Sequence, residues 1–115
     1  MKEILSVTEL TLRIKFLLEA NFEVFWVEGE VSNLRRPGSG HAYFTLKDET
    51  CQIRAVIFRT DLRSLSFELE DGMQVILRAR LNVYEPRGEY QLIADAVEPK
   101  GLGALQKAFE QLKAR

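Results

Sequence analysis

The 115-residue chain has a single cysteine, Cys51, and a single histidine, His41. A lone thiol closes no internal disulfide, so the fold is expected to hold without covalent bracing, in the reducing setting of the cytoplasm. One cysteine and one histidine cannot furnish a Cys/His ligand set, which excludes a structural zinc site. No apolar run approaches the ~20 residues that a bilayer-crossing helix needs, and the first residues lack a secretory pattern. There is no glycine-rich phosphate loop and no serine–histidine–acid order pointing to a nucleophile. No cofactor, membrane or small-molecule substrate is therefore expected. An excess of basic residues is missing too: sixteen Lys and Arg face seventeen Asp and Glu, for a net charge of −1.

What is present is a globular composition, with 46% hydrophobic and 29% charged residues, and a length suited to one domain with one core. The charge is unevenly spread. Between Val31 and Arg63 lie Arg35, Arg36, Lys47, Arg54, Arg59 and Arg63 against Asp48, Glu49 and Asp61, a local net of +3 that leaves −4 elsewhere. A weak positive region on an acidic body is compatible with binding a single nucleic-acid strand.

The chain opens with a helix. Ser6 and Glu9 fit a capping box, and Val7, Leu10, Ile14 and Leu17 make one apolar stripe at helical spacing in a helix that should end near Asn21. Strands follow at residues 25–34 and 41–47, joined by Arg36-Pro37-Gly38-Ser39-Gly40. On the second strand Ala42, Phe44 and Leu46 share one face, while His41, Tyr43, Thr45 and Lys47 share the other. A tight turn at Asp48-Glu49-Thr50 leads to a third strand, residues 51–58. Residues 60–69 lose alternation and should hold a short helix or turn. A fourth strand, 74–84, alternates most clearly, with Val75, Leu77, Ala79, Leu81 and Val83 opposite Gln74, Arg78, Arg80 and Asn82. Glu85-Pro86-Arg87-Gly88 turns into a fifth strand, 89–97, and a final helix starts at Ala104 and runs to Arg115.

Five strands with an irregular piece between the third and fourth describe an OB-fold barrel, mostly β, with an N-terminal helix and the start of a C-terminal one. A five-stranded barrel of another topology fits the periodicity as well. The expected organisation is a helix over 1–21 packed on the barrel, the barrel over 22–100, and the start of a linker helix over 101–115. The OB-fold binds oligonucleotides around strands 2 and 3, between the loops joining strands 1–2 and 4–5. Both loops carry arginine here.

The blocks WVEGEVSNLRRPGSGHAYFTLKD, QIRAVIFR and VYEPRGEYQLIADAVEPKGLGAL, in that order, closely resemble the N-terminal domain of the large subunit of bacterial exodeoxyribonuclease VII. The resemblance covers nearly the whole chain. It implies an OB-fold that binds single-stranded DNA for a hydrolase that degrades single strands. It also implies a longer polypeptide with a separate catalytic domain and a helical region that recruits several small subunits. The sequence ends inside what the resemblance makes a linking helix, so no catalytic site is expected in this portion.

Candidate contacts can be named from chemistry. Tyr43 and Phe58 are stacking candidates; Phe58 could equally close one end of the barrel core. Arg35 and Arg36 offer forked donors for phosphate from a loop, although loop arginines are often only solvated. Arg54, between core positions Ile53 and Ala55, shares the open face with Tyr43 and is the preferred phosphate ligand within a strand. Arg87 could close the groove with Tyr84 and Tyr90. His41 either bonds a phosphate or fixes its loop. Trp26 is expected either to anchor the core where the first helix meets the first strand or to stay exposed as a stacking ring, and Arg78 and Arg80 are expected to pair with glutamates on the rear of the barrel. Glu28 with Glu30, and Asp48 with Glu49, are carboxylate pairs lacking a third ligand. Two other readings compete: a docking module using the apolar helical stripe, and an RNA-binding module of the type appended to aminoacyl-tRNA synthetases.

Overall fold

The computed structural model describes residues 1–113. Its elements are α1 (Val7–Asn21), β1 (Phe25–Arg35), β2 (Ala42–Lys47), β3 (Gln52–Ile57), α2 (Arg59–Arg63), β4 (Gln74–Tyr84), a single 3-10 turn (Glu85–Arg87), β5 (Glu89–Pro99) and α3 (Gly101–Lys113). The strands close into a barrel in the order β1-β2-β3-β5-β4, all neighbours antiparallel except β3 with β5. This is the OB-fold, mostly sheet, with a helix at each end. The final helix starts at Gly101, three residues before the expected Ala104, and the expected Ala114 and Arg115 lie outside the described residues.

Alternation fills the barrel. Ala42, Phe44 and Leu46 from β2, Ala55 and Ile57 from β3, and Val75, Leu77 and Ala79 from β4 are buried in one core. Burying a Leu or Ile side chain contributes about 1.5–3 kcal/mol, so these rows fix which face of each strand looks inward. On β1 the inward residues are Phe25, Val27, Gly29 and Val31. Trp26 falls on the opposite parity, is 54% exposed, and sits beside Arg78 of β4. Trp26 is thus on the outer surface, and Phe25 packs against the core in its place.

Two irregularities change the parity of the strands. Between Ser32 and Arg35 the β1 register slips by one residue against β2: Ser32 faces Thr45, but Arg35 faces Tyr43. This bulge sends Leu34 inward against the core and Arg35 outward. Asn33 takes φ +53° there, a left-handed conformation that Asn tolerates. A second slip, opposite Arg78 and Ala79, displaces Asp95 of β5, whose carboxylate then holds Arg78 bidentately at 2.9 Å from both oxygens. The acid partner expected for Arg78 was a glutamate; the bulge supplies an aspartate.

The first helix has the expected capping box: Glu9 N–H donates to Ser6 Oγ at 3.0 Å, and Ser6 N–H to Glu9 at 3.2 Å. Its packing face is not the apolar stripe. Val7, Leu10, Ile14 and Leu17 are all exposed, as are Leu12 and Phe16. The helix meets β4 through Thr11, Lys15, Leu18 and Glu19 instead. Val83 N–H donates to Glu19 at 3.0 Å, Lys15 Nζ donates to Val83 O at 3.4 Å, and Lys15 and Glu19 pair at 2.8 Å. The hydrogen bond from Lys15 holds the Glu19 carboxyl below the usual carboxylate range, and Glu19 in turn raises Lys15. A polar clasp on the unfilled backbone groups of β4 outcompetes the apolar stripe because it satisfies the strand's free N–H and C=O.

Gly29 marks a close approach. A Cβ there would lie 2.8 Å from Leu46 Cγ and 2.9 Å from the Lys47 carbonyl, so β1 crosses β2 with no room for a side chain. Gly29→Ala is expected to lower unfolding free energy by about 1–3 kcal/mol in urea titration; an unchanged midpoint would show that the two strands can separate freely at this point.

Candidate nucleic-acid interface

The outer face of the sheet can be assembled from register alone. Thr45 pairs with Arg54, Arg54 with Gln91 and Gln91 with Asn82, giving a polar row across β2, β3, β5 and β4. The next row runs Arg35, Tyr43, Val56, Ile93 and Arg80. With neighbouring strands about 4.8 Å apart, the four-residue row spans ~14 Å. All of these residues but Arg80 line a groove of about 1080 Å3, which Asn33, Asp71, Tyr84 and Arg87 also border.

Five of the seven candidate contacts line this groove: Arg35, Tyr43, Arg54, Phe58 and Arg87. Tyr43 is 38% exposed, enough to present a ring face. Arg54 is exposed, and its Nε lies 3.6 Å from Glu89, an exposed pair that an incoming phosphate must displace and that is worth at most about 1 kcal/mol. Phe58 is half-buried at the start of α2 and stands outside the core cluster. Arg87 belongs to the 3-10 turn, which Gly88 closes at φ +61°. Arg35 ends β1 rather than lying in a mobile loop.

The other two candidates sit to one side. His41 packs edge-on against Phe58, ring centroids 5.3 Å apart, and its Nδ1 accepts the Arg59 N–H at 3.0 Å. That bond ties the start of β2 to α2, so the ring fixes its loop. Arg36 points away from its neighbour Arg35 and lines a separate depression with Arg59 and Arg63. Of the two tyrosines thought to close the groove, Tyr84 lines it, and Tyr90 is exposed outside it.

Several groove residues were not singled out from the sequence. Asn82 and Gln91 are joined by a 3.0 Å hydrogen bond from Gln91 Nε2 to Asn82 Oδ1. Extending the alternation of β4 across its partner would have found Gln91. Asp71 is subtler. Its Oδ1 accepts the Leu34 N–H at 2.9 Å, satisfying a donor that the bulge removes from the ladder. Only the non-local pairing reveals that role.

The carboxylate pairs are otherwise engaged. Glu30 pairs with Lys47 at 3.6 Å and Glu28 with Lys100. Asp48 accepts the Cys51 and Thr50 N–H groups at 2.8 and 2.9 Å, which depresses its pKa and marks it as a turn residue. Among the described residues no group of three or more His, Cys, Asp or Glu could hold a metal ion, and no helix is long and apolar enough to cross a membrane.

Comparison with known proteins agrees with this geometry. Residues 5–98 match the family model described as an OB-fold nucleic acid binding domain. The exodeoxyribonuclease 7 large subunit of Geotalea daltonii is 60% identical over 99% of this chain and 26% of its own length. That of Geobacter sulfurreducens is 59% identical over 97% of this chain and 25% of its own length. The chain therefore spans about a quarter of the curated relatives it matches. Among solved structures, asparaginyl-tRNA synthetase from Pyrococcus horikoshii bound to asparaginyl-adenylate matches 86% of this chain and 22% of its own, with TM-score 0.59 and 19% identity, a likeness of fold alone.

Asp71→Ala removes the acceptor of the Leu34 N–H and leaves that exposed donor to water. Stability should fall by about 0.5–1.5 kcal/mol, and nucleic-acid affinity should fall further than that of a variant equally destabilised in the core. Equal affinity losses in the two variants would remove Asp71 from the site.

Proposed function

The chain belongs to the OB-fold nucleic acid binding domain family, and on that premise we propose that its barrel captures single-stranded DNA for a nuclease site carried elsewhere in a longer polypeptide. The observation that carries this reading is the groove, where exposed Tyr43, half-buried Phe58 and three arginines converge over a floor of Val56 and Ile93. Arginines at 35, 54 and 87 track the phosphates, and the rings stack on bases, each base contributing about 1–3 kcal/mol regardless of sequence. The rows of register admit an unpaired strand lying across the sheet, and the stacking it requires is denied to a duplex, whose bases are already stacked.

The relatives at 60% and 59% identity are named as exodeoxyribonuclease 7 large subunits, which supports assigning the whole polypeptide to a cytoplasmic enzyme that degrades single-stranded DNA together with small subunits. In that setting the barrel is a binding domain and its strand is passed on. One observation favours a second reading, a docking role: the apolar face of α1, with Leu12, Phe16 and Leu17, is turned away from the barrel.

Fluorescence anisotropy with labelled oligothymidine tests both. The chain should bind saturably, weaken as salt rises and bind duplex poorly. Tyr43→Ala combined with Arg54→Ala, folded by circular dichroism, should lose at least about tenfold in affinity, the effect of a single stacked base. Undiminished binding by the double variant would displace DNA from this face; no binding by the wild-type chain would leave docking as the better reading.

A further inference from the structure

The chain's arginines divide by whether they have an acid partner. Arg13 pairs with Glu3, Arg54 with Glu89 and Arg78 with Asp95. Among the described residues, Arg35, Arg36, Arg59, Arg63, Arg80 and Arg87 make no ion pair. Arg35 and Arg87 line the groove already described. Three of the rest, Arg36, Arg59 and Arg63, gather around a second depression of about 340 Å3 between the β1–β2 loop and α2. Glu68 is the one acid on its wall, so the depression carries a local excess of two positive charges.

This second depression is built rather than incidental. Gly40 takes φ +84°, and a Cβ on it would come within 3.3 Å of Arg59 Cδ. The missing side chain lets the Arg59 stem lie against the loop, and the Arg59 N–H to His41 bond fixes the base of that stem. Leu62, Leu65 and Phe67 supply an apolar back wall. Phe58 and His41 lie between the two depressions: Phe58 lines the groove, and its ring touches His41, whose loop borders the second pocket.

We propose that Arg36, Arg59 and Arg63 form a second phosphodiester-binding subsite, which takes the strand as it leaves the groove past Phe58. This rests on the single-strand reading above and extends it, adding Arg59 and Arg63 to the contacts and giving Arg36 a place separate from Arg35. The path turns from the open sheet onto α2, so the footprint is longer than the barrel face. Guanidinium groups suit this task because each offers a planar fork to phosphate oxygens. Their lack of acid partners means that a strand displaces no existing ion pair there.

The test is length dependence. Affinity and its salt slope are measured for oligothymidines of about six and about fourteen nucleotides, within the range that single OB domains cover, using the wild-type chain and Arg59→Gln/Arg63→Gln. Both replaced side chains are exposed, and the Arg59 bond to His41 is made by the backbone, so the variant should fold; a thermal melt matching wild type checks this. The short strand should bind both proteins alike. The long strand should bind the wild type more tightly and the variant roughly fivefold or more weakly, with a salt slope lower by about 0.7 for each phosphate that the variant no longer neutralises. Equal binding of the long strand by both proteins, with equal slopes, overturns the second subsite while leaving the groove in place. Failure of the wild type to bind either strand overturns both. A variant that loses the short strand as much as the long one also overturns the proposal, since Arg59 and Arg63 would then belong to the groove.

Discussion

A one-residue bulge at the end of β1, where Asp71 accepts the Leu34 N–H at 2.9 Å, decides which side chains reach the candidate binding face. Without the bulge, strict alternation would aim Arg35 into the barrel and Leu34 out of it. An unpaired guanidinium in the core costs several kcal/mol. The bulge removes that conflict: Leu34 joins the core, and Arg35 comes to lie opposite Tyr43. The turn that carries Asp71 is fixed independently, because Gly72 N–H donates to Val31 O at 2.8 Å and Val31 N–H donates to Met73 O at 2.9 Å. The start of β4 and the end of β1 are thus one unit, and the groove's rim is set by it.

A net charge of −1 looks unpromising for a barrel proposed to hold a polyanion. The resolution lies in which charges are free. Acids are engaged by the cations of the rear and flanks: Glu28 by Lys100, Asp95 by Arg78, Glu70 by Lys107 and Glu19 by Lys15. The arginines left over collect around the groove, the α2 pocket and the depression beside Ile93 where Arg80 lies. On the single-strand reading proposed above, such a surface supplies few phosphate contacts, so base stacking would carry a large share of affinity, and a barrel of this kind would gain when several copies act together.

Much of this was legible in the chain. Strand alternation placed five strands correctly, and the Ser6/Glu9 capping box and the loop glycines marked the ends. Five of the residues chosen for their chemistry line one groove. What could not be read is non-local. The β1 bulge emerges only when β1 is set against β2, so neither Asp71's role nor the parting of Arg35 from Arg36 was visible. Trp26 reads as a core residue by its size, yet parity fixed by Gly29 and Val31 turns it outward. The apolar stripe of α1 suggests a packing face, but open backbone groups at Val83 recruit Lys15 and Glu19 instead. In each case strand parity or backbone hydrogen bonding, set by non-local pairing, overrides a hydrophobic expectation.

Mapping backbone amide shifts while titrating the labelled chain with oligothymidine tests the location of DNA capture most directly. Capture in the groove predicts that the largest changes fall on Arg35, Tyr43, Arg54 and the turn at Arg87, with α1 and the outer surface around Trp26 and Glu28 unmoved. Changes centred on α1 or on the Trp26 surface, with the groove silent, would contradict it.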